Sequence, residues 1–78
     1  MMDKLRYFVH QLDGDERIAF SYILDAAVEA EAKRDNDTAA DLLQAMKILA
    51  RFSADRKYNI TYVKIYDEAH EIIMGVSA

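Results

Sequence analysis

The chain has 78 residues, of which 53% are hydrophobic and 31% charged, and it contains no cysteine, proline or tryptophan. This length fits one small globular domain, because two domains would each be too small to form a core without disulfides or a metal. Without cysteine, disulfides and thiolate zinc sites are excluded, and nothing favours an oxidising compartment, so we expect the cytoplasm. The longest apolar run is three residues, against about 20 for a membrane span, and the charged first six residues predict no signal peptide.

The charged residues are unevenly distributed along the chain. The formal net charge of −4 argues against a general binder of nucleic acids or anionic membranes. Simple counting gives about −6 for residues 13–41 and about +3 for residues 42–57. We interpret this layout as solvated helix faces with favourable charges at helix ends, and the alternative is a polarised surface that meets a charged partner. A compact acidic chain of this kind fits a bacterial or phage protein.

Helical periodicity dominates the first half of the chain. A first helix is predicted over about residues 3–12, with an apolar side formed by Leu5, Phe8, Val9 and Leu12. Gly14 suits the left-handed position after this helix, and Asp13 or Asp15 can cap the next one. The second predicted helix covers about residues 15–34, and its core side comprises Ala19, Phe20, Ile23, Leu24, Ala26, Ala27 and Ala30.

A third helix is predicted to begin at Asp37 or Thr38 and to cover about residues 38–57. Its predicted core residues are Ala39, Leu42, Leu43, Ala45, Met46, Leu49, Ala50 and Phe52. Because only a few residues separate it from the second helix, the two form an antiparallel hairpin.

The last segment permits two interpretations. Residues 58–66 are rich in β-branched and aromatic side chains, which is typical of a strand. Residues 61–76, with Asn59 or Thr61 as a cap, nevertheless share one helical face, formed by Tyr62, Ile65, Tyr66, Ala69, Ile72, Ile73 and Val76. A lone strand would have no pairing partner in the chain. We therefore predict an all-α fold in one domain, residues 1–78, a small helical bundle built on a central antiparallel helical hairpin with a short N-terminal helix and a C-terminal helix.

The apolar arcs are wider than a small bundle needs. The third and fourth helices carry apolar residues over about 200°, whereas a surface helix needs little more than about 100°. Val63 and Met74 lie beyond His70, off the main apolar stripe, and Ile18 and Tyr22 border the polar strip of the second helix. Either the first helix covers this surplus or a second copy does. We favour a two-fold dimer, with these five residues contacting the partner. An exposed groove for another protein's helix is a weaker consequence.

Candidate catalytic and metal-binding patterns are incomplete. The tetrapeptide at residues 67–70 also occurs in nucleic-acid-dependent ATPases, but the phosphate-binding loop that such enzymes need is absent. Asp67, His70 and Glu71 have the spacing of a helical carboxylate metal site, but no second histidine-bearing motif accompanies them. Neither histidine has the context of a catalytic triad. We therefore expect no catalytic residues, no metal, no cofactor and no enzymatic activity.

Tyrosines recur every four residues around the start of the fourth helix, close to basic residues. Aromatic rings beside guanidinium groups can stack on bases and neutralise phosphates. The residues of this candidate nucleotide site are Arg51, Arg56, Lys57, Tyr58, Tyr62 and Lys64. The competing interpretation is that the tyrosine rings pack inward while their hydroxyls reach water. The leading hypothesis is therefore a small non-catalytic interaction protein that regulates or inhibits a protein partner through a helical surface. Nucleotide or nucleic-acid binding is the alternative.

Overall fold

The computed structural model describes the backbone of residues 2–77 and the side chains of residues 2–75. This part of the chain contains no strand and forms four helices: α1 (Asp3–His10), α2 (Gly14–Ala32), α3 (Asn36–Lys57) and α4 (Ile60–Ser77). The predicted all-α fold is confirmed, and each predicted helix boundary lies within two residues of the observed one. No described helix is long and apolar enough to cross a membrane.

The helices run antiparallel to their neighbours in the chain. Connections of two or three residues join them, and connections this short force each helix to turn back along the previous one. An ion pair between Glu16, at the start of α2, and Lys57, at the end of α3, joins the open end of the central hairpin. α1 packs against α2 and α4, and α3 packs against the same two helices, so each helix has two neighbours.

The hydrophobic core draws residues from all four helices. Its fully buried side chains are Leu5, Val9, Leu24, Leu43, Met46, Tyr62 and Ile65. The ring of Tyr62 on α4 lies 5.8 Å from the ring of Phe20 on α2, centroid to centroid. This contact crosses the centre of the bundle and joins α2 and α4, which have no packed interface of their own.

The structure corrects four core predictions, because the side chains of Ala19, Ala45, Leu49 and Phe52 are exposed. The physical reason is geometric. α2 and α4 together cover only the stripe of α3 that contains Leu43, Met46 and Ala50. The apolar arc of α3 is wider than this stripe, and its excess faces water. The side chain of Val76, predicted to face inward, lies outside the described residues.

The ends of α2 and α3 refine the capping predictions. The Asp35 carboxylate accepts a hydrogen bond from the backbone N–H of Thr38 (3.1 Å), so Asp35 is the N-cap and α3 begins earlier than predicted. Hydrogen bonds from the side chain and backbone of Thr38 hold the pKa of the Asp35 carboxyl below its ordinary value. Gly14 adopts the predicted left-handed conformation, with φ +60°. Asp13 precedes α2, but its side chain makes no capping hydrogen bond.

The junction between α3 and α4 settles the two interpretations of residues 58–66. Tyr58 adopts a left-handed conformation (φ 50°) and ends α3, with a side chain that is 95% exposed. Asn59 Oδ1 then accepts a hydrogen bond from the backbone N–H of Thr61 (2.9 Å), as the prediction of Asn59 as a cap requires. α4 starts at Ile60, so this segment is helical and the strand interpretation is wrong.

Candidate functional site

The structure leaves the predicted partner-binding residues accessible. Ile18 is 66% exposed and Tyr22 is 79% exposed, and Val63, His70 and Met74 are exposed as well. α1 packs along the opposite flank of α2, where Arg6 contacts Asp25 at 3.0 Å. The first of the two explanations for the apolar surplus is therefore wrong, because α1 does not cover it.

These five residues lie on two separate surfaces. Ile18 and Tyr22 lie on the outer side of α2, between its α1 flank at Asp25 and its α3 flank at Glu16. Val63, His70 and Met74 lie on α4, along the line where α4 packs against α3. Lys47 of α3 contacts His70 there. We call the first surface the α2–α3 face and the second the α3–α4 groove.

The α2–α3 face is larger than the sequence indicated. On α3, its members share an arc of about 100° opposite the core, and Ile48 and Phe52 also border the α3–α4 groove beside Tyr66. These members are Ala45, Ile48, Leu49 and Phe52. On α2, the corresponding arc contains Ile18, Ala19, Tyr22 and Ala26. Phe52 is 59% exposed, although its apolar character and spacing had assigned it to the core. Sequence reasoning therefore missed the α3 half of this surface.

Charged side chains surround the α2–α3 face. The guanidinium carbon of Arg56 lies 5.4 Å from the centre of the Phe52 ring. Lys33 and Glu29 form an ion pair of 3.2 Å near the α2–α3 turn, and Asp41 is exposed on the same side of α3. An apolar centre with a charged rim is the usual composition of a protein–protein interface.

The α3–α4 groove is organised around the ring of Tyr66. Lys47 Nζ lies 5.1 Å from the ring centre and the guanidinium carbon of Arg51 lies 6.0 Å from it, so both cations contact the aromatic face. The imidazole of His70 stacks on Tyr66, with ring centres 6.4 Å apart and planes 2° apart. Lys47 Nζ also donates a hydrogen bond to His70 Nδ1 (2.9 Å), because an ammonium group has no acceptor to offer.

A cavity of about 170 Å³ opens at this groove, and it is lined by Arg51, Ala54, Asp55, Val63 and Tyr66. Among the described residues, neither Lys47 nor Arg51 has a carboxylate oxygen within 4.0 Å. The groove therefore combines two positive charges, with no carboxylate of the described residues in ion-pair contact, with an apolar wall and the nearby carboxylate of Asp55. A carboxylate attached to an apolar side chain matches this chemistry.

The candidate nucleotide-binding residues do not form one cluster. Tyr62 is 2% exposed and packs on Phe20, so its ring has no free face for a base. The others are dispersed: Arg51 lies in the α3–α4 groove, Arg56 over Phe52, Lys57 against Glu16, Lys64 over Phe8 of α1, and Tyr58 at the α3–α4 turn.

The carboxylates near His70 are engaged elsewhere or stay in water. Glu68 lies 3.8 Å from Lys4 of α1, and Asp67 and Glu71 are exposed. Within the described part of the chain, no three histidine, aspartate or glutamate side chains converge as a metal site would require.

Two surfaces thus differ from ordinary solvated helix faces: the α2–α3 face and the α3–α4 groove. Each combines exposed apolar side chains with charges at its edge. Comparisons of the chain with known protein families, curated proteins and solved structures found no match, so its function is inferred from these two surfaces.

Proposed function

We propose that this chain is a small non-catalytic interaction protein of the cytoplasm. In this proposal the α2–α3 face forms a homodimer, and the α3–α4 groove binds the protein partner that the dimer regulates or inhibits. The observation that carries the proposal is the exposure of Ile18, Tyr22 and Phe52 on one side of the molecule. Removing apolar surface from water is favourable by roughly 25 cal/mol per Å², which gives such a face a strong tendency to associate.

The dimensions of the α2–α3 face suit a dimer. A standard interface buries about 800 Å² on each partner, about 15% of the 5192 Å² accessible surface of this chain. The 22 residues of α3 span about 33 Å, and two packed helices present a width of about 20 Å. A second copy is the simplest occupant, because closed two-fold pairs are the commonest oligomers.

The α3–α4 groove supplies the surface for a different protein. Burying Lys47 and Arg51 without a counter-charge would be costly, so the proposed partner offers a carboxylate there together with an apolar side chain for the cavity beside Val63. His70 is engaged by Lys47 rather than by a hydroxyl group, which supports a binding role over nucleophilic catalysis.

Sedimentation velocity of one variant tests the dimer. Replacing Tyr22 with lysine puts a charge into the α2–α3 face without touching the core, so we expect Tyr22→Lys to weaken self-association at least about tenfold. Tyr7→Lys makes the same chemical change on α1, away from this face, and is expected to associate like the native chain. If both variants associate as strongly as the native chain, the α2–α3 face is not the interface.

Peptide binding tests the groove. A capped tetrapeptide with two glutamates and two leucines should shift the backbone amide NMR signals of the groove residues. Its glutamine analogue should bind about tenfold more weakly, because it lacks the charge that Lys47 and Arg51 attract.

The double variant Lys47→Gln, Arg51→Gln should lose this preference, whereas Arg17→Gln with Lys33→Gln should keep it. Equal binding of the two peptides would contradict the proposed partner chemistry. A single-stranded oligonucleotide that shifts the same signals at lower concentration than the peptide would favour nucleic-acid binding instead.

A further inference from the structure

We infer that two copies associate as an antiparallel two-fold dimer in which α3 packs on α3 of the partner and α2 on α2. The symmetry axis then runs across the helices, between Ile48 and Leu49 on α3 and near Leu24 on α2. This inference rests on the proposed homodimer and specifies its geometry. The pattern of side chains along the α2–α3 face carries it.

The exposed side of α3 is complementary to its own reversed copy. Ala45 and Phe52 lie equally far from the midpoint between residues 48 and 49, on opposite sides of it. Asp41 and Arg56 are also equidistant from this midpoint. When α3 packs on a reversed copy of itself, Ala45 therefore meets Phe52 and Asp41 meets Arg56, and the two-fold symmetry repeats each contact. Ile48 and Leu49 of the two copies meet at the axis.

Part of the exposed side of α2 shows the same property about a midpoint at residue 24, whereas Ile18 has the buried Ala30 as its counterpart. Tyr22 and Ala26 are equidistant from it, as are Asp15 and Lys33. The Glu16–Lys57 ion pair at one end and the three-residue turn at the other place residue 24 opposite the middle of α3, between about residues 44 and 49. The midpoints of the two helices therefore lie close to one line across the face, as one symmetry axis requires.

A two-fold axis along the helices fits less well. It would place α3 over α2 of the partner, with Phe52 level with Tyr22 and Ala45 level with Ala26. Large side chains would then meet at one end and small ones at the other, which leaves crowding and a gap. The antiparallel arrangement instead pairs Phe52 with Ala45 and Tyr22 with Ala26.

A charge swap separates these arrangements. In the antiparallel dimer, Asp41→Lys and Arg56→Glu should each raise the dissociation constant about tenfold, because each creates two like-charge contacts. The double variant should return to within about threefold of the native value, because the swapped charges again face each other. Asp67→Lys on α4 and Arg17→Glu on the other flank of α2 are matched controls that should leave the dimer unchanged.

In the alternative arrangement the double variant would bring like charges together at Asp15 and Lys33 of the partner subunit, so its dissociation constant would not return to the native value.

Cross-linking gives a second readout, because the chain has no cysteine of its own. Ile48→Cys near the axis should oxidise to a covalent dimer at least about ten times faster than Tyr7→Cys. A dimer that shows neither rescue nor faster cross-linking would overturn the antiparallel geometry alone, whereas a native chain that stays monomeric would overturn the proposed homodimer with it.

Discussion

At the scale of single residues, Asp35 links a local hydrogen bond to the pH dependence of stability. Its pKa is lowered by hydrogen bonds from Thr38 in the folded chain, so the ionised carboxylate favours folding. Such a carboxyl group contributes its full stabilisation of the folded state at pH values above its unfolded-state pKa of about 4. This stabilisation is lost as the pH falls through the folded-state pKa. Asp35→Ala should therefore lower the melting temperature by a few degrees at neutral pH.

The difference in melting temperature between the native chain and Asp35→Ala should become smaller when thermal unfolding is measured well below pH 4. Asp37→Ala is the matched control, since Asp37 lies in the first turn of α3 but is not its N-cap. A melting difference for Asp35→Ala that is independent of pH would show that the charge of the cap does not contribute.

At the scale of helices, Tyr58 is a second testable position. It holds a left-handed backbone conformation that costs an ordinary residue about 1–2 kcal/mol, and its side chain makes almost no contact. Tyr58→Gly should therefore raise the free energy of unfolding by about 0.5–1 kcal/mol, because glycine adopts this conformation without strain. Gln44→Gly, at an exposed position inside α3, should instead lower it by about 1 kcal/mol. Urea unfolding measures both, and a destabilised Tyr58→Gly would contradict the assigned conformation.

Helix positions were predictable from periodicity, but the covered part of each helix was not. The spacing of Leu43, Met46 and Ala50 locates the centre of the apolar arc of α3, and this stripe is buried. Leu49 and Phe52 lie on the same arc, yet they are exposed. Their burial depends on which helices flank α3, and that information comes from the packing of four helices rather than from the sequence of one.

The candidate site also has a part that was predictable from the sequence and a part that was not. Ile18 and Tyr22 were identified because they border the polar strip of α2, which is a signal local to one helix. Most of the α3 half of the face was missed because Ala45, Leu49 and Phe52 had been assigned to the core. Tyr62 is an error in the opposite direction. Its spacing with Tyr58 and Tyr66 suggested a surface on which bases could stack, but its ring packs against Phe20 and is buried in the core. When a residue continues an apolar stripe, the packing of the neighbouring helices therefore decides whether it is buried in the core or exposed on the surface.

At the scale of the whole molecule, a ring of four helices determines where the surplus apolar surface lies. Each helix has two neighbours, so each can bury only one stripe, and the wider arcs of α2 and α3 remain in water along their common outer side. The distribution of charge follows the same geometry. The acidic start and basic end of α3 leave it complementary to a reversed copy of itself. Shape and charge therefore favour the same occupant, a second copy.

The central claim, that the α2–α3 face is covered by a second copy, is tested most directly by sedimentation equilibrium of the native chain between about 1 and 100 µM. We predict that the average mass rises with concentration from 9.0 kDa toward about 18 kDa and does not exceed it, as a closed two-fold pair requires. A mass that stays at 9.0 kDa over the whole range would contradict the claim, and so would a mass that continues to rise beyond the dimer.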